Sequence, residues 1–377
     1  MSSPLEVYYA INYSNCDTTY SFFASGEGLA FYCHVCQIFA LPFQILAAYI
    51  ILAKTPNVMK SMKTPLLVNH FCCTLFDIQV CTLSTPYLLL RNLSASTVGL
   101  FSKIGVPNIV QLCSGFFAGI VMISSYVFIF ERRSAQLVGN RFRIRRTSSN
   151  ICYHGLVLLI NSSIMLYFWS MPLDQESAKI RSLNLEPCPT KDFFANDVLV
   201  VFNGVDVFHF AVRIHLPVIV IHVTLHIIFH VGCTVYYLYF APSHAISVET
   251  QKNQRTFLVG VTFQTLIPMA LLLIFFCISL MADIFYGYHQ STMNAGIVVI
   301  AMHGFLESIT VLIVHRPYRK AVWKLVARKV KIRPRIFHHV EQVAGGRSAE
   351  SDCRPIEMEL LIGITNCGWT VNRRSFI

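Results

Sequence analysis

The stretch VFIFERRSAQLVGNRFRIRR, residues 127–146, changes character at a single step. Apolar side chains run as far as Phe130, one glutamate interrupts them, and six arginines follow before residue 147. A run that abandons hydrocarbon-like chemistry so abruptly marks a boundary between two solvents. The rest of the chain shows which two they are.

Of 377 residues, 54% are hydrophobic and only 13% are charged, whereas soluble domains carry about a quarter charged residues. The apolar residues come in blocks, and about 20 of them in a helix cross the roughly 30 Å hydrocarbon core of a bilayer. Seven blocks qualify: 29–53, 64–90, 106–130, 151–171, 210–240, 256–282 and 293–314. The expected fold class is all-α and integral to the membrane, a seven-transmembrane helix bundle over residues 29–315. No fixed-period repeat or low-complexity linker divides it. Residues 1–28 contain no Lys or Arg to form the basic region of a cleavable signal. The first block is therefore expected to be both targeting signal and anchor.

Short loops rich in Lys and Arg stay cytoplasmic. The first, third and fifth loops and the C-terminal tail together hold 24 basic residues, against five in the N-terminus and the second and fourth loops, with Arg213 at a boundary. This places the N-terminus outside and the C-terminus inside. The net charge of +11 then reads as topology plus attraction to anionic membrane lipids; nothing resembles a soluble nucleic-acid module, so no nucleic-acid partner is expected. A stop signal accounts for the six arginines but not for Glu131, which sets a negative charge on the boundary they define.

Four ordered patches resemble the nematode serpentine chemoreceptors of class H. YIILAKTPNVMKSMKTPLLVNHF (49–71) is similar to that family's first inner loop and second helix, and TPYLLLRNLSASTVGLFSKIGVP (85–107) to its end of helix two and first outer loop. FIFERR (128–133) resembles its Phe-Glu-Asn-Arg signature at the base of helix three, and HGFLESITVLIVHRPYRKAV (303–322) its last helix. The similarity covers roughly residues 20–330. Arg132 stands where the family has Asn, Arg91 where proline is usual, and Glu307 in a helix normally less charged. The resemblance implies a G-protein-coupled receptor of the plasma membrane in sensory cilia, not an enzyme and without a cofactor. It detects an environmental small molecule or peptide in a pocket among helices two, three, five, six and seven, and its partner is a heterotrimeric G protein. By the same match, Arg133 meets the G protein, Glu131 is its partner in a local lock, and Arg132 lies between them.

Other candidates come from the residues themselves. Asp77 lies mid-way along the second block, where a carboxylate is expensive and usually faces the bundle interior. His303 and Glu307, four apart, share a helix face. The three read as an intramembrane polar core that either repacks on activation or statically fixes helix register. His222, His226 and His230 recur every four residues, as metal or haem ligands can, but no second histidine cluster accompanies them. They read instead as pocket-lining or helix-pairing side chains, His222 and His226 foremost. No catalytic or nucleotide fingerprint is present. The rivals are thus a seven-helix transporter or channel, which would show inverted repeats or broken half-helices, and a His-rich membrane metal or haem oxidoreductase.

Of 13 cysteines, most lie within apolar blocks. Cys188 in the outer loop can pair with Cys16 or with Cys113, and the sequence leaves both open. Asn12 and Asn92 head outward glycosylation sequons, while a third at Asn161 falls inside the membrane. Pro317, Tyr318 and Arg319 open a basic amphipathic surface helix over 316–335. The tail 336–377 reads as irregular and polar, with acylation sites at Cys353 and Cys367.

Overall fold

Seven helices among the described residues are long and apolar enough to cross a membrane: Gly26–Lys54, Lys60–Leu83, Asn108–Ala135, Thr147–Trp169, Val205–Phe240, Val248–Cys277 and Gln290–Val314. They are the first to seventh spans. The computed structural model describes residues 3–332, apart from 18, 138, 242–246 and 282–288; the tail, its cysteines and the end of the surface helix lie outside the described residues. The bundle has two ends. The capped end carries the N-terminus and the loops after the second and fourth spans. The basic end carries the loops after the first, third and fifth.

The second span is central, packed on the first, third and seventh, while the third also meets the fourth and fifth. Burial follows this order. In their most apolar windows 56% of the second span is buried but only 11% of the fourth, which presents Ile151, Leu156, Leu159 and Leu166 outward. Dispersion and polar contacts hold such helices together, because lipid is as apolar as the side chains it would replace.

One expected boundary is corrected. The second apolar block, 64–90, does not continue as helix past Leu83. Pro86 cannot donate to a helical ladder and its ring disfavours helical geometry in the residue before it; Thr85 there has φ 44°. The apolar PYLL run becomes strand β1 (Pro86–Leu89), antiparallel to β2 (Ser94–Thr97), which pairs in turn with β3 (Leu199–Val200). Leu93 closes the hairpin in the left-handed region, φ 55°.

This small sheet anchors a cap. An N-terminal helix, Pro4–Ile11, begins with a reciprocal capping box between Ser3 and Glu6. Cys16 is bonded to Cys188, 172 residues later, and Cys113 is a free, half-buried thiol; of the two pairings the sequence allowed, the first is formed. Three tyrosine hydroxyls reinforce it by donating to backbone carbonyls: Tyr8 to Pro187 (3.1 Å), Tyr13 to Pro189 (3.0 Å) and Tyr20 to Cys188 (2.6 Å). Burial, with Tyr20 and Tyr9 close by, pushes the Tyr13 phenol up to about 12, so it stays a donor. Lys179 is also buried in the cap, donating to the Ala195 carbonyl at 2.7 Å, and desolvation holds its ammonium below the usual lysine range.

Candidate functional site

Asp77, on the central helix, accepts at one carboxylate oxygen from the Gln44 amide of the first span (2.8 Å) and at the other from the backbone N–H of Gly304 (3.0 Å). That N–H is available because the seventh span is interrupted: one helix runs Gln290–Ala301 and a second His303–Val314, with Met302 between. A fresh helix start leaves N–H groups unpaired and positive partial charge facing outward. Asp77 therefore caps, from another helix, the lower half of span seven. Glycine at position 304 permits this approach, since a Cβ there would run into the Asp77 carboxylate. An interrupted helix with a midplane carboxylate is a feature the transporter reading calls for, but it occurs once here, without an inverted counterpart among the described spans.

Glu307 and His303 belong to the same buried region, each with its own partner. Glu307 meets His70 Nδ1 at 2.8 Å and accepts from Gln264 at 3.0 Å, while His70 Nε2 lies 3.0 Å from the Gln44 carbonyl. A carbonyl only accepts, so Nε2 carries a hydrogen. Either Glu307 is ionised beside an imidazolium, or one proton sits on Glu307 and the pair is neutral; both keep the net charge at zero. His303 Nε2 meets the Tyr126 hydroxyl at 2.8 Å, and its Nδ1, 4.0 Å from Asp77, has no hydrogen-bond partner. The polar core thus ties spans one, two, three, six and seven, and His315 extends it by bonding Gln264 at 3.1 Å. Gln44, His70, Tyr126 and Gln264 were missed because the sequence reading of this region stopped at Asp77 and the His303–Glu307 pair. Their signal was the cost of any polar side chain at membrane depth.

At the basic end the expected pairing of Glu131 with Arg133 is corrected. Residues two apart on a helix do not face each other. Glu131 turns to Arg132 Nε and His154 Nε2, each at 3.5 Å, whereas Arg133 turns to the sixth span. There its guanidinium donates to the Gln254 carbonyl at 2.8 Å and lies over the Phe257 ring, 5.3 Å from the centroid. Arg133 is only 3% exposed, and its Nε has no partner. Arg132 donates to Asn150 at 2.6 Å. Each departure from the family pattern therefore has its own partner: Arg132 has Asn150, Arg91 has Glu186, and Glu307 has His70.

The remaining candidates separate. His222, His226 and His230 face the fourth span, in contact with Asn161 and Tyr153. Among the described residues no three His, Cys, Asp or Glu side chains are grouped to hold a metal ion. Asn12 is exposed at the end of the N-terminal helix. Asn92 is 2% exposed, and its amide donates to the Ser182 and Glu186 carbonyls; the folded cap uses the nitrogen a glycan would need, which corrects its reading as an acceptor. Asn161 is likewise buried and bonded to Ser124. The helix Arg316–Ile332 has Pro317 in its first turn; Tyr318 is buried against Thr55 (2.9 Å), Arg319 donates to the Ile313 carbonyl, and Trp323 is 74% exposed.

Residues 24–328 match the family described as serpentine-type seven-transmembrane chemoreceptors, Srh. Serpentine receptor class H-72 of Caenorhabditis elegans is 29% identical over 321 residues, covering 84% of this chain and 90% of the relative.

Proposed function

Because the chain belongs to the serpentine class H family of seven-transmembrane chemoreceptors, we propose that it is a plasma-membrane receptor that detects an environmental small molecule or peptide and activates a heterotrimeric G protein. The capped end faces outward and the basic end the cytoplasm, in keeping with the distribution of Lys and Arg; the setting is the cilia of sensory neurons. The supporting observation is Arg133. A cation buried away from water without an acid is unfavourable, yet among the described residues this one is held by one hydrogen bond to the backbone of the sixth span and one aromatic ring. Moving the sixth span outward breaks that tether and frees a planar, multi-donor cation at the cytoplasmic face.

Ligand binding at the capped end acts through the polar core, which touches the first, second, third, sixth and seventh spans at mid-membrane. It shifts the population of a bundle with two arrangements, as differential affinity requires. The test is guanine-nucleotide exchange in membranes containing the receptor and a G protein, with an odorant panel as ligand source. Exchange should rise with at least one compound and fall on Arg133→Lys at matched receptor number. Ligand-evoked current without any exchange would overturn the reading in favour of a channel.

A further inference from the structure

His222, His226 and His230 belong to one unbroken chain of hydrogen bonds along the seam of the third, fourth and fifth spans. Ser134 Oγ contacts the Glu131 carbonyl (2.9 Å) and His230 Nδ1 (3.0 Å). His230 Nε2 contacts the Tyr153 hydroxyl (3.0 Å), which contacts His226 Nδ1 (2.7 Å). His226 Nε2 contacts His222 Nε2 (3.2 Å), and His222 Nδ1 contacts Asn161 Oδ1 (3.2 Å).

The two ends determine the proton inventory. A backbone carbonyl only accepts, so Ser134 gives its single hydrogen to Glu131 and must receive one from His230. At the far end the Asn161 oxygen only accepts, so His222 Nδ1 must donate. Between these ends, three neutral imidazoles and one phenol carry one hydrogen fewer than the contacts need. One added proton satisfies every contact. It can sit on any of the three rings, because moving it only reverses the direction of the bonds between. Turning the Asn161 amide over, so that its nitrogen donates to His222 and its oxygen accepts from Ser124, satisfies the same contacts with all three rings neutral; the two orientations of a side-chain amide are nearly alike in shape.

We infer that this seam is a proton-binding site: one proton shared by His222, His226 and His230, its occupancy coupled to the orientation of Asn161. Charged and titratable groups face the seam from two spans. The third span brings Glu131, 1% exposed, with Arg132 beside it, and the fourth brings Tyr153 and His154, the latter 3.5 Å from the Glu131 carboxylate. Histidine is the side chain whose charge changes near neutral pH. The relay ends on Ser134, adjacent to Arg133, so acid acts on the same helix end that the proposed coupling uses.

The test is nitrogen-15 NMR of histidine-labelled full-length receptor in lipid from about pH 5 to 8, which needs neither ligand nor G protein. His222, His226 and His230 should change protonation together in one transition. Tyr153→Phe, which keeps the ring and removes the hydroxyl, should split that transition, parting His230 from the other two. Asn161→Asp, which supplies a carboxylate acceptor, should move it up by about one pH unit or more, a tenfold or greater gain in proton affinity. Three independent titrations in the unaltered receptor, or three rings neutral throughout, would overturn the proposal. If Tyr153→Phe does not fold, the upward shift in Asn161→Asp decides alone, and no shift there refutes the shared site.

Discussion

Arg133 and Arg145 have the same chemistry and opposite surroundings. Arg145 is exposed in the loop and Arg133 is buried beside Phe257. Insertion counts positive charge over a loop, so Arg145→Lys is expected to leave both surface level and exchange unchanged. Arg133→Lys should keep surface level but lose most ligand-driven exchange, because a point-like ammonium cannot reproduce a planar donor stacked on a ring. Equal exchange by the two variants would return the whole stretch to a topological anchor. Glu131→Gln acts elsewhere, on the third-to-fourth span contact through Arg132 and His154. At Gly304 a methyl group would be driven into the Asp77 carboxylate. Gly304→Ala is expected to cost about 1–3 kcal/mol, the range for overpacking, read as a lower midpoint of thermal unfolding in detergent. An unchanged midpoint would show that Asp77 does not cap the half-helix.

At the level of elements, the sequence made the spans legible because hydrocarbon length imposes a scale that few residues disguise. It did not expose the sheet, since PYLLL is as apolar as the helix before it and strands of four residues leave no periodicity to read. Asp77, His303 and Glu307 were legible as costly groups in the same region. Their partners were not, because Glu307 meets His70 across 237 positions and Gln264 across 43, and no local pattern links such distances. The sequon at Asn92 was misread for the same reason: its partners, Ser182 and Glu186, lie in a distant loop. Glycosidase treatment of surface receptor followed by peptide mass mapping should find the conversion mark at Asn12 and an unmodified Asn92. A glycan at Asn92 would mean that the cap assembles differently from the structure described.

Across the whole molecule, the cap is joined to the bundle at several independent points. Tyr87 donates within reach of the Ala24 carbonyl and Thr190, Asp192 accepts from the Gly26 N–H, and Asn294 of the seventh span donates to the Phe23 carbonyl. The Cys16–Cys188 bond adds a covalent link that closes 172 residues of chain, and a link of that length stabilises a fold by about 2–5 kcal/mol. Cys188→Ser is expected to reduce surface receptor several-fold, measured by surface labelling against total protein, whereas Cys113→Ser should leave it unchanged. Recovery of Cys188 as a free thiol from folded receptor would refute the assignment.

The 172-residue separation of that bond also sets a schedule. Ribosomes add about 5–20 residues each second, so on the proposed topology Cys16 waits in the oxidising lumen for roughly 10–35 s before its partner is made. By then four spans have been synthesised. Throughout that interval the nascent receptor displays an unpaired thiol to the disulfide-exchange enzymes of the compartment. A chain truncated before residue 188 never withdraws it, and so carries a chemical label of incompleteness that quality control can read.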